Sequence, residues 1–93
     1  MKVSEVQILP IKSKEGLVGF ASAVLDNKLY ISGMGVHKIK DGSGYRVTYP
    51  EKLVGKAKLG VYHPISKQLG HDLATEVNKK CLELFVHEVG RDG

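Results

Sequence analysis

One stretch of this chain repeats apolar residues at helical spacing, and it comes late. Leu69, Leu73, Val77 and Cys81 recur every four residues, and Leu84 and Phe85 continue the stripe. Ser66 stands where an N-cap hydroxyl belongs, and Gln68, His71, Thr75 and Lys79 fall on the polar side. Everything before this helix reads as strand and turn. A chain of 93 residues has room for one modest core, so this helix must cover whatever sheet precedes it. The expectation is an α+β fold: an antiparallel sheet of four to five strands followed by one C-terminal amphipathic helix. It places a single domain over residues 1–89 and a disordered tail over 90–93.

The strands follow from alternation and turn chemistry. Val3 to Lys12 places Val6 and Ile8 on one face and Glu5 and Gln7 on the other. Pro10 lacks an N–H, which suits an edge or a strand end. After the turn at Ser13-Lys14-Glu15-Gly16, Leu17 to Leu25 is small and apolar on both faces, with Phe20 and Val24 opposite Ala21 and Ala23. That pattern suits a central strand. Asp26-Asn27-Lys28 forms a tight hairpin turn, because Asp and Asn tolerate a left-handed backbone. A long third strand runs from Leu29 to about Ile39. Strict alternation there puts Ile31, Gly33, Gly35 and His37 on one face and Tyr30, Ser32, Met34 and Val36 on the other. Glycines two apart mark a bulge, a bend or a close backbone approach. They do not make a phosphate loop, since no helix follows them.

Asp41-Gly42-Ser43-Gly44 turns the chain into Tyr45–Tyr49, with Tyr45, Val47 and Tyr49 pointing one way and Arg46 and Thr48 the other. Pro50 ends that strand. Residues 51–58 are lysine-rich without clear periodicity and read as a flexible loop, and Leu59 to Tyr62 reads as a short strand. One helix cannot cover both faces and both edges of such a sheet. A second copy of the chain is the expected cover, giving a homodimer.

The composition, 42% hydrophobic and 26% charged, is that of an ordinary globular chain. No apolar run reaches the roughly 18 residues of a membrane span. The opening Met1-Lys2-Val3-Ser4-Glu5 carries an early acid and no apolar segment, so a cytoplasmic location without a secretory leader is expected. The charge is unevenly placed. Residues 38–67 hold Lys38, Lys40, Arg46, Lys52, Lys56, Lys58 and Lys67 against Asp41 and Glu51, a net of +5 in a chain of net +4. Such a concentration attracts polyanions, nucleic acid first among them. The competing reading is a solvated basic segment kept for solubility. Lysine predominates, which suits phosphate contact better than base reading.

Catalytic or metal chemistry finds no pattern to carry it. His37, His63, His71 and His87 include no pair at ligand spacing on a helix, and the single cysteine rules out a multi-cysteine zinc site and an internal disulfide. His63, before Pro64, reads as a ring packed or hydrogen-bonded at a corner. Cys81, on the apolar stripe, reads as an inert core thiol. No Ser-His-Asp order or carboxylate pair can be drawn. The expectation is no enzyme, no cofactor, no metal, no membrane partner and no small-molecule substrate. Tyr45, Tyr49 and Tyr62 lie within the basic segment and could stack on single-stranded bases, although sharing a face with Val47 favours core packing for the first two.

Four segments in order resemble the bacterial stage V sporulation protein G (SpoVG) family of septation regulators. They are Met1-Lys2-Val3-Ser4-Glu5-Val6, Phe20-Ala21-Ser22-Ala23-Val24-Leu25-Asp26, Gly44-Tyr45-Arg46-Val47-Thr48-Tyr49-Pro50, and His63-Pro64-Ile65-Ser66 ahead of the helix. The resemblance spans roughly residues 1–82. It implies a small α+β homodimer that binds DNA, and RNA in some members, and that influences sporulation, septation and gene expression. The family's basic pair after the strand falls on Lys52 and Leu53, and its helical arginine falls on Gly70. Tyr49 replaces the Met before the proline, and Gly60 and Val61 stand where an acid is usual. Charge and resemblance together predict nucleic-acid contact through Arg46, Lys52, Lys56, Lys58, Lys67 and His71. The alternative is a protein–protein interaction module of the cell-division machinery whose basic segment is merely solvated.

Overall fold

The computed structural model describes the backbone of residues 1–92 and the side chains of residues 1–85. The tail expected at 90–93 and His87 lie outside the residues described in full. Six strands precede one helix: β1 (Val3–Lys14), β2 (Leu17–Leu25), β3 (Leu29–Lys38), β4 (Tyr45–Thr48), β5 (Glu51–Val54), β6 (Ala57–Gly60) and α1 (Lys67–Asp92). Strands β1-β2-β3-β4 form one antiparallel sheet in sequence order, and β5-β6 form a separate two-stranded ribbon. The fold is α+β. No helix among the described residues is long and apolar enough to cross a membrane.

Local chemistry sets the turns. Asp26 and Asn27 both take left-handed backbone, at φ 53° and 56°, and the Lys28 N–H closes the turn on the Leu25 carbonyl at 2.9 Å. Asp41 accepts the Ser43 N–H at 2.8 Å, and the Gly42 N–H reaches the Ile39 carbonyl at 2.9 Å. Pro10 lies on β1, which pairs with β2 alone, so its missing donor interrupts no ladder on the far side.

The core lies between α1 and one sheet face. Ala21, Ala23 and Leu25 of β2, Ile31, Met34 and Val36 of β3, and Leu73, Val77 and Cys81 of α1 are its buried residues. Small alanines on the central strand let the helix sit close. Ser66 caps α1 as expected, its Oγ accepting the Leu69 N–H at 3.1 Å. Phe85 extends the stripe and packs on Tyr45 with ring centroids 5.6 Å apart. Leu84, expected on the same stripe, is instead exposed; it falls off the line that four-residue spacing draws.

Two of the sheet's four register irregularities, both beside the middle of β2, break the alternation that the sequence suggests. Between β2 and β3, Ala21 pairs with Met34 but Ala23 pairs with Ile31, so β3 holds one extra residue across Ser32-Gly33. Gly33, at φ 79°, supplies the required left-handed backbone. Ile31 is thereby turned onto the core face with Met34 and Val36, and the expected grouping of Ile31 with Gly35 and His37 does not hold. Strand β1 carries the matching irregularity between Ser4 and Gln7, with Glu5 at φ 49°. Both extra residues lie beside the Ser22–Ala23 stretch of β2, and Val3, Val6 and Ile8 all pack against the core as a result.

The expected flexible loop at 51–58 is also corrected. It forms the β5-β6 ribbon, turning at Gly55 with φ 62°, and the short strand expected at Leu59–Tyr62 begins earlier, at Ala57. The Val61 N–H donates to the Pro50 carbonyl at 2.9 Å and ties the ribbon's base.

Candidate nucleic-acid interface

The ribbon exists because Pro50 stops β4 from extending and Gly55 reverses the chain between two four-residue strands. All residues from Glu51 to Gly60 are exposed, so the ribbon stands away from the core. Residues opposite each other across a ladder share a face. Lys52 pairs with Leu59 and Val54 with Ala57 on one face; Glu51 pairs with Gly60 and Leu53 with Lys58 on the other. Lys52 and Lys58 therefore point to opposite sides, and Lys56 sits at the turn. Lysines are mixed with exposed apolar side chains, Leu53 at 69%, Val54 at 51% and Leu59 at 51% exposure.

The other expected residues fall elsewhere. Arg46 is exposed on β4, on the sheet face away from the helix, where it stands opposite His37 of β3. The His37 ring is hydrogen-bonded through Nε2 to Thr48 Oγ1 at 3.0 Å. Partial burial, with the Arg46 charge as a smaller cause, holds its pKa below the ordinary 6.5. Lys67 opens α1, in a first turn that contains no acid, and His71 follows one turn later on the exposed side. The structure thus brings Lys52, Lys56 and Lys58 together on one ribbon and Lys67 and His71 together on one helical turn, and it sets Arg46 apart on the sheet. Among the described residues the ion pairs are Lys79–Glu76 at 3.6 Å and Lys80–Glu83 at 4.0 Å, so none of the six expected contact residues is neutralised by a neighbour there.

The tyrosines of the basic segment are committed to packing. Tyr49 meets Tyr62 edge-on with centroids 6.1 Å apart, the Tyr62 hydroxyl donates to the Ser32 carbonyl, and Tyr45 lies against Phe85. Burial raises the pKa of all three. Cys81 is fully buried, and desolvation pushes its thiol up to about 11. His63 is exposed rather than packed into its corner, at the rim of an apolar cleft of about 410 Å³ between the start of α1 and the Leu25, Leu29 and Ile31 end of the sheet. Among the described residues no group of three or more His, Cys, Asp or Glu side chains could hold a metal ion.

Sequence reasoning missed Asn78. Its Oδ1 accepts the Tyr45 N–H at 2.9 Å and fastens the middle of α1 to the start of β4. An amide beside the apolar stripe was the available signal. The exposed aromatics Tyr30 and Phe20 were also passed over as candidate contacts. No family model matches this chain, and no curated protein matches it closely enough to stand as a relative.

Proposed function

We propose that the protein is a non-enzymatic DNA-binding regulator of the SpoVG kind, a kind that in some members also binds RNA, cytoplasmic and homodimeric and acting in sporulation, septation and gene expression. The observation that carries the reading is the β5-β6 ribbon. It holds Lys52, Lys56 and Lys58 clear of the core, with no carboxylate paired to them among the described residues. Cations held that way serve phosphate contact well, because binding releases condensed counterions and needs little rearrangement of the protein. Lys67 adds charge at the positive end of the helix dipole, where a helix selected for stability alone would carry an acid.

Dimerisation rests on the same ribbon. A two-stranded ribbon with no core beneath it is marginal in water, and its Leu53, Val54 and Leu59 are exposed; a second copy supplies cover and doubles the charged surface. These apolar residues also favour the second reading, a protein-interaction module of the division machinery. One experiment separates the two. Binding to duplex DNA, single-stranded DNA and RNA is titrated against salt, with sedimentation run in parallel. Steeply salt-dependent polyanion binding by a dimer supports the first. No polyanion binding, with salt-insensitive capture of a division protein, supports the second.

A further inference from the structure

The helix covers one face of the four-stranded sheet, and the opposite face carries aromatic side chains in the open. Register places Leu9, Phe20, Gly35 and Thr48 in one row across that face, and Ser4, Val24 and Tyr30 in another. Between the rows lies a shallow concavity of about 300 Å³ lined chiefly by Gln7, Leu9, Phe20, Ser22, Tyr30 and Ser32. Tyr30 is 66% and Phe20 38% exposed. At Gly35 the neighbouring side chains close in over the backbone: a Cβ there would stand 2.6 Å from Thr48 Oγ1 and 3.1 Å from His37 Nε2.

We infer that this open face is a stacking site for unpaired bases of single-stranded nucleic acid, with a base held between Phe20 and Tyr30. Each component matches that ligand. Phe20 and Tyr30 offer ring faces on which a base of any identity stacks. Gln7, Ser22 and Ser32 offer an amide and two hydroxyls to base edges, which are accessible only when the base is unpaired. No acidic side chain lines the concavity, and Arg46, on the same face two residues along from the Thr48 row, supplies a cation for the backbone. Polar side chains interleaved with aromatic ones suit a base better than the apolar face of a second copy. The inference rests on the proposed nucleic-acid function and deepens it: the lysine ribbon holds phosphates of any strand, whereas this face selects single strands.

The test is fluorescence anisotropy with a labelled single-stranded oligonucleotide, the same sequence as duplex, and an abasic strand of equal length. Wild type is compared with Tyr30→Ala, Tyr30→Phe and Phe20→Ala, with sedimentation of each. Tyr30→Ala should weaken single-strand binding about 5- to 160-fold, leave duplex and abasic binding unchanged, and be rescued by Tyr30→Phe. Tyr30 is exposed enough that its loss should not unfold the protein, so the test stands even if Phe20→Ala does not fold. Equal losses on all three ligands, no loss on the single strand, or a change in oligomeric state in Tyr30→Ala would each overturn the stacking site. Salt-dependent duplex binding alongside such a result leaves the proposed function intact. Absence of binding to every polyanion removes both.

Discussion

Replacing Lys52, Lys56 and Lys58 together by Gln tests the ribbon directly, and the structure sets the size of the effect. Each phosphate contact on duplex DNA contributes about 0.9 to the slope of log affinity against log salt. Lys52 and Lys58 point to opposite faces of the ribbon while Lys56 sits at its turn. A duplex lying flat on one face therefore meets two of the three, and the mutant's slope should flatten by about 1.8 per chain. A ribbon inserted into the major groove, which admits such an element, has backbone on both sides and uses all three, for about 2.7 per chain. Between 50 and 200 mM salt these correspond to the wild type losing about 12-fold or about 40-fold more affinity per chain than the mutant. The assay is anisotropy on two duplexes of unrelated sequence across that salt range. The loss should be equal on both, because phosphate contacts carry no sequence information. Stability by urea unfolding should move by less than about 0.5 kcal/mol, since these exposed side chains make no buried contacts. Unchanged affinity with an unchanged slope would refute the reasoning and make the ribbon solvated surface.

Leu73→Ala should cost roughly 2–5 kcal/mol in urea unfolding, because the side chain is 1% exposed at the centre of the core, while Leu84→Ala, on an exposed residue, should cost less than about 1 kcal/mol; equal effects would contradict the packing of α1. His37 has a folded pKa below its ordinary 6.5, so the unfolded chain binds more protons in the window just below that value. Its contribution is therefore fully present above pH 6.5 and is lost as pH falls through 6.5 toward the folded pKa. His37→Gln should lose less stability than wild type between pH 7.5 and 5, and an identical pH profile would count against the desolvated ring. With its thiol pushed up to about 11 and fully buried, Cys81 should react with a thiol reagent at pH 8 at least about a hundredfold more slowly in the folded protein than in urea, and equal rates would show that the site is open.

Features decided by neighbours along the chain were legible in the sequence. The stripe of Leu69, Leu73, Val77 and Cys81, the Ser66 cap and the Asp26-Asn27 turn each depend on a few adjacent residues and on the backbone those residues prefer. The tertiary structure decided what depends on partners far away in sequence. Register across β1, β2 and β3 introduced the extra residues near Glu5 and Gly33, which turned Ile31 onto the core face against strict alternation. The 51–60 segment became a ribbon because its two halves pair with each other, a match that lysines on both faces hid from any count of periodicity. Asn78 acquired its role only when β4 came to lie beside it. The choice of the face that α1 covers, buried alanines rather than Phe20, left Phe20 and Tyr30 in the open. Alternation along a strand separates its two faces, but which one becomes the interior is settled by the element that packs there.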